Sequence, residues 1–332
     1  MLIKIFILIL TVSCAAIRPL NNETTQSKDM KEIITKEVKE PQSLPSPQNL
    51  IYKTKTFENS QKVQRYCDRL DKYFKRYEWG KSTCNDYSWN HVRSSFYGNP
   101  IVWFVFGEEN ENTEKKNVTF IECGVHGDEI TPIKFCYDLL EDLKQNPQKI
   151  GKNNLVIVAP LVTPDSFFRE KPTRTNARGV DINRNFPTTD WNEKAISLWK
   201  SRYSSDKRRY PGKSAQSEQE TIFQVNIIKR YAPNKVISIH APLTLLDYDG
   251  PHIGQENGKA AKQLLITMSN KAKKYKVSNY PFFTGSLGNW AGNERNIPTY
   301  TLELPNSDWH KTDKYYSLFR EAIFHAIGND LK

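Results

Sequence analysis

Residues 117–143, NVTFIECGVHGDEITPIKFCYDLLEDL, restrict the fold more than any other stretch of the chain. Val118, Phe120 and Ile121 make a short apolar run of the strand type, and Ile133, Cys136, Leu139, Leu140 and Leu143 follow at helical spacing. Thr131 stands where a helix cap belongs, with Pro132 in the first turn. The stretch therefore reads as strand, tight turn and helix, and in an open α/β sheet that turn, at the carboxyl edge of the strands, is where ligands bind. It carries His126 and Glu129, three residues apart. An imidazole nitrogen and a carboxylate oxygen so spaced can reach one cation, as a catalytic zinc site requires, but two ligands do not complete it.

Three more apolar runs extend the pattern. Ile101–Phe106 lies between Pro100 and Gly107, Leu155–Ala159 opens into a long loop, and Val236–Ile239 is followed at once by His240. A fourth run, Thr299–Leu304, contains one acid, Glu303, and a carboxylate isolated among apolar residues needs a partner or a task. Helical spacing is present over Phe57–Tyr77, Gln255–Tyr275 and Tyr315–Ile327, and Ser217 with Glu220 forms a capping box for a helix running to about Tyr231. These elements predict one α/β domain with a central mixed, mostly parallel, twisted sheet flanked by helices. No internal repeat interrupts it.

The 332 residues are only 38% hydrophobic, and part of that deficit lies at the front. Residues 21–48 are rich in Asn, Glu, Thr, Lys, Ser and Pro without apolar periodicity, the signature of a tether. Ahead of them, Met1–Leu10 holds one lysine and an apolar core too short to span a bilayer, and small residues lead to Cys14. This segment resembles a bacterial lipoprotein signal. It implies a signal peptide at 1–13, a lipid on Cys14 that anchors the chain to the membrane, a disordered tether at 14–50 and a catalytic domain at 51–332. An ordinary secretory signal is the alternative, and both readings place the protein outside the cytoplasm, in the periplasm. The net charge of +11 is carried by scattered lysines and suits acidic partners such as anionic lipid or carboxylate-rich peptides. Export argues against nucleic acid, and a monomer is expected. Cys67 and Cys84 flank a helix and a polar turn and can pair in an oxidising compartment, whereas Cys123 and Cys136 lie on apolar faces and are expected as buried thiols.

His126, Glu129, His240 and Glu303 all fall at or near the ends of buried strands, which gathers them on one edge of the sheet. Two imidazoles and one carboxylate leave an open position for water and a spare carboxylate. With the Asn183-Arg184 pair, this pattern resembles the zinc metallocarboxypeptidase family over roughly residues 94–304. Within it, the strings TRTNARGVDINRNFP, SIHAPL and TLELP and the YP…GSLGNW loop are most similar to the murein peptide amidases, which cut the bond between γ-D-glutamate and diaminopimelate in peptidoglycan stem peptides. The resemblance implies one zinc per chain on His126, Glu129 and His240, with Asp181 holding the far nitrogen of His126. It also implies Glu303 as the base and then the acid, Arg174 or its neighbour Arg178 at the oxyanion, and Asn183 with Arg184 gripping the terminal carboxylate of the substrate. His91, His252, His310 and His325 match no ligand position. Two rival readings share these features: a zinc N-acyl amino acid deacylase of the aspartoacylase or succinylglutamate desuccinylase type, and a peptidoglycan-binding lipoprotein without turnover.

Overall fold

The computed structural model describes residues 60–109 and 116–331. The signal segment, Cys14, the tether and the expected start of the catalytic domain at Ile51 lie outside the described residues. Among the described residues, seven strands form one sheet: β1 (Asn90–Ser94), β2 (Pro100–Phe106), β3 (Asn117–Glu122), β4 (Asn154–Ala159), β5 (Lys235–His240), β6 (Leu245–Asp249) and β7 (Thr299–Glu303). Their spatial order is β1-β2-β4-β3-β5-β7-β6. The four inner strands, β4, β3, β5 and β7, are parallel, and β2 and β6 join them antiparallel, so the sheet is mixed with a parallel centre, as the apolar runs predict.

Among the described residues, seven α-helices accompany the sheet: α1 (Gln61–Arg76), α2 (Ile130–Gln145), α3 (Pro164–Phe167), α4 (Trp191–Arg202), α5 (Gln219–Tyr231), α6 (Glu256–Lys271) and α7 (Thr312–Gly328). Alternation along the strands separates two cores. Ile121, Val156, Val158, Ile237 and Ile239 face one side, against α1, α2, α6 and α7. Val118, Phe120, Leu155, Ile157 and Val236 face the other, against α5, the loop that carries Phe186 and the π-helical turn Gly288–Asn293 that carries Trp290. Burial on both faces is why these strands read as unbroken apolar runs. None of the described helices is long and apolar enough to cross a membrane.

The chain leaves β3 for β4 on one side and later returns to β5 on the other. A crevice opens at such a switch point, beyond the carboxyl ends of the strands. Local details differ from the sequence pattern. Thr131 does not cap α2; Glu129 holds the N-cap position, and the Thr131 hydroxyl donates to the carbonyl of Asn306. Ser217 and Glu220 form no capping box, because the loop before α5 recruits both: Asn185 donates to Ser217 Oγ and Asn176 to Glu220. Cys67 and Cys84 are disulfide-bonded, which settles what their spacing left open. Cys123 and Cys136 are not thiols but a second disulfide. Helix α2 folds back over the strand that precedes it, so two buried cysteines on facing apolar surfaces meet, and burial alone cannot tell a thiol from half of a bridge.

Candidate metal centre and its cleft

The His-Gly-Asp-Glu turn is fixed from below. A side-chain carbon on Gly127 would lie 2.5 Å from the backbone nitrogen of Phe167, so only glycine lets the turn rest on α3. His126 and Glu129 are thereby set at the mouth of the crevice, and His240 closes β5 beside them. Glu129 bridges the two rings: its Oε1 is 2.7 Å from His126 Nδ1, and its Oε2 is 2.9 Å from His240 Nδ1 and accepts the Ala241 N–H at 3.2 Å. One donor atom from each of the three residues falls within 4.8 Å of the others, and all three side chains are buried.

The loop after α3 supplies the second layer. Asp181 is fully buried, and its Oδ1 lies 3.1 Å from His126 Nε2, the nitrogen facing away from Glu129. The same oxygen accepts the Asn183 N–H and starts the short turn Ile182–Arg184 that aims Asn183 and Arg184 at the crevice. Arg174 Nε donates to Asp181 Oδ2 at 2.9 Å, and its Nη1 reaches Glu129 Oε1 at 3.3 Å. Arg178 instead faces Glu218 at 3.7 Å. On the far side, Glu303 ends β7 in register with His240, and its Oε2 accepts the Leu243 N–H.

The electrostatics are those of a cation site. Burial would raise the Glu129 carboxyl, yet His126 and His240 outweigh it and hold it well below the ordinary carboxylate range. Burial and Arg174 would lower the His126 imidazole, but Glu129 and Asp181 prevail and lift it. Asp181 is likewise kept ionised against its burial by Arg174 and His126. With both imidazoles neutral, as ligands must be, two buried carboxylates facing one arginine leave negative charge that a divalent ion satisfies, and two nitrogens with a carboxylate are the donor set of catalytic zinc. Glu303 is different: burial first, then the charge of Glu129, raises its pKa.

These groups share a cleft of about 380 Å³. His126, Glu129, His240, Glu303, Arg174, Asn183 and Arg184 all line it, so the structure brings together every site residue singled out in the sequence, with Asp181 directly behind. Arg184 lies with its guanidinium carbon 4.1 Å over the Phe283 ring, its Nη1 donating to the Asn183 carbonyl at 2.6 Å. Asn183, on the cleft lining, has its Oδ1 fixed by the Leu287 N–H at 2.9 Å. Sequence reasoning missed Asp247 and Asp249, which line the cleft from β6, a strand it did not find, and Asp128, paired with Arg208 at 2.8 Å. It also missed Ser238 and Glu122 behind His240, although Glu122 shows the signal that marked Glu303, a lone acid closing an apolar run.

Fold and donor set together define a metallohydrolase. Residues 85–319 match the zinc carboxypeptidase family, and the chain belongs to it: it is a zinc-dependent peptide hydrolase. It is 29% identical to murein peptide amidase A of Vibrio campbellii over 214 residues, 64% of this chain and 77% of that one. To murein peptide amidase A of Escherichia coli K12 it is 28% identical over 219 residues, 65% of this chain and 80% of the relative. Among solved structures, murein-tripeptide amidase from Escherichia coli O157 superposes with a TM-score of 0.50 at 25% identity, over 70% of this chain and 91% of that one. Carboxypeptidase A from Helicoverpa armigera, at 20% identity over 80% of this chain and 71% of its own, shares the fold with a TM-score of 0.60.

Proposed function

We propose that this chain is an exported zinc exopeptidase of peptidoglycan stem peptides, cutting between γ-D-glutamate and diaminopimelate during wall remodelling or recycling. The single observation that carries this reading is the placement of Glu303 and the Asn183-Arg184 pair in one cleft with the His126, Glu129 and His240 triad. The likeness to murein peptide amidases across about two-thirds of the chain supports the substrate. So do Asp247 and Asp249, since a cleft with two carboxylates on one wall and Arg184 on another suits a residue that carries both carboxylate and ammonium groups, as diaminopimelate does.

Zinc held by the triad supplies a Lewis acid and draws the pKa of water toward neutrality. Arg184 pairs with the terminal carboxylate of the substrate by its planar fork, and Asn183 adds an amide donor, so the bond cut lies one residue from a chain end. Glu303, less acidic than an ordinary carboxyl, takes a proton from the attacking water and returns it to the departing amine. Arg174, held by Asp181 and Glu129 and lining the cleft, faces the negative charge that develops on the carbonyl oxygen; Arg178 is engaged with Glu218 instead.

The decisive assay sets purified protein against γ-D-glutamyl-diaminopimelate peptides and N-succinylglutamate in parallel. Only the former should be hydrolysed, and Glu303→Ala should abolish turnover with zinc content unchanged; hydrolysis of the succinyl compound, or an active variant, refutes the reading. Export is supported by the signal-like residues 1–14 and by two disulfides, bonds that persist in oxidising compartments, and lipidation by the small residues that lead to Cys14. Cys14→Ser should move the protein from the membrane fraction to the soluble one, and an unchanged distribution would count against the anchor.

A further inference from the structure

Behind His240, two side chains that the proposed reaction does not use, Ser238 and Glu122, continue a line of hydrogen bonds from the ring. Ser238 Oγ lies 3.0 Å from His240 Nε2 and donates over 3.0 Å to Glu122 Oε1. The sheet dictates this line. Glu122 and Ser238 are register partners across β3 and β5, and Ser238 and His240 are two residues apart on one face of β5. Glu122 is 0% exposed, and its other oxygen, Oε2, has no hydrogen-bond partner among the described residues. Burial pushes its pKa up to about 7. A carboxyl group in that position costs stability, so something other than packing accounts for it.

We infer that Glu122 is a positioning residue for the metal centre, acting through Ser238 to hold His240 in the tautomer that leaves Nδ1 free to bind the ion. His240 Nδ1 is the nitrogen turned toward Glu129 and hence toward the ion's place; once an ion is bound there it carries no proton, and the ring's one hydrogen belongs on Nε2. That N–H donates to Ser238 Oγ, and the single hydroxyl hydrogen of Ser238 must then go to Glu122. Without an acceptor at Glu122, the hydroxyl can turn and donate to Nε2, which moves the ring proton to Nδ1 and blocks the ion. Oε1 accepts whether the carboxyl is ionised or carries its proton on Oε2, so the device does not depend on the charge of Glu122. Asp181 does the same for His126 directly; His240 is reached through a hydroxyl relay.

The test compares the full chain with Ser238→Ala, Ser238→Thr and Glu122→Met. Three quantities are measured: the zinc dissociation constant by chelator competition, the thermal midpoint without metal, and the ¹⁵N shifts of the His240 ring. Ser238→Ala and Glu122→Met should each weaken zinc binding by about 10- to 100-fold, with Ser238→Thr restoring it. Glu122→Met should leave the metal-free midpoint unchanged or higher while affinity falls, a split that a purely structural role does not produce. Without metal, the ring shifts should report more Nδ1–H than in the parent in both weakened variants, because Glu122→Met lets the hydroxyl donate to Nε2 and Ser238→Ala leaves Nε2–H without its acceptor while Glu129 remains beside Nδ1. Affinities within about twofold of the parent, or a loss that tracks a lowered midpoint with the tautomer unchanged, overturn the inference. Should Ser238→Ala fail to fold, Glu122→Met and Ser238→Thr decide it alone. A parent chain that takes up no zinc refutes the centre itself and this inference with it, whatever its substrate.

Discussion

At the residue scale, Arg184 shows how a charge is made specific. Its side chain is buried, stacked over Phe283 and tied by Nη1 to the Asn183 carbonyl, while Nε has no partner among the described residues. A buried guanidinium with unused donors at a cleft wall is prepared for an anion of matching shape. Arg184→Lys keeps the charge and loses the fork. It should lower kcat/KM by roughly 30- to 100-fold, the equivalent of about 2–3 kcal/mol, mainly through KM. Steady-state kinetics on one stem peptide checks this, and an unchanged KM would remove Arg184 from carboxylate binding. Arg184 lies in a long loop and was marked only by the family pattern, whereas His126, His240 and Glu303 were legible because each closes a strand or follows one. The meeting of Ser238 with Glu122 was not, because it depends on the register between β3 and β5, and no run of residues encodes the stagger of its neighbour.

At the scale of elements, the parallel centre was readable and the margins were not. β1 and β6 are edge strands, and β1 is at best half-buried, so neither carries the unbroken apolar signal of β3 or β5. α4 buries only Trp191 and Ala195 and has little periodicity to find. The Cys123–Cys136 disulfide belongs to this scale as well. It ties the end of β3 to the second turn of α2, and the loop it closes contains both His126 and Glu129. Closing a loop of this length stabilises by about 3 kcal/mol, which in a domain of this size corresponds to roughly 6–12 °C. Cys123→Ala with Cys136→Ala should lower the thermal midpoint by that order and loosen zinc binding, as calorimetry and chelator competition would show. A midpoint and an affinity both equal to the parent's would mean the bridge is dispensable.

At the scale of the molecule, the centre is distributed across the chain. Glu129 meets a histidine 111 residues further on, and the proposed base stands on a strand later still. A nascent or truncated chain ending before β5 therefore holds only the first two ligands, and a metal cannot nucleate its folding the way it does in a small zinc module. Contacts so remote in sequence form late, after long loops have closed. Tight zinc uptake thus becomes a report of completed folding, and hydrolytic power arrives only once the last third of the polypeptide has taken its place.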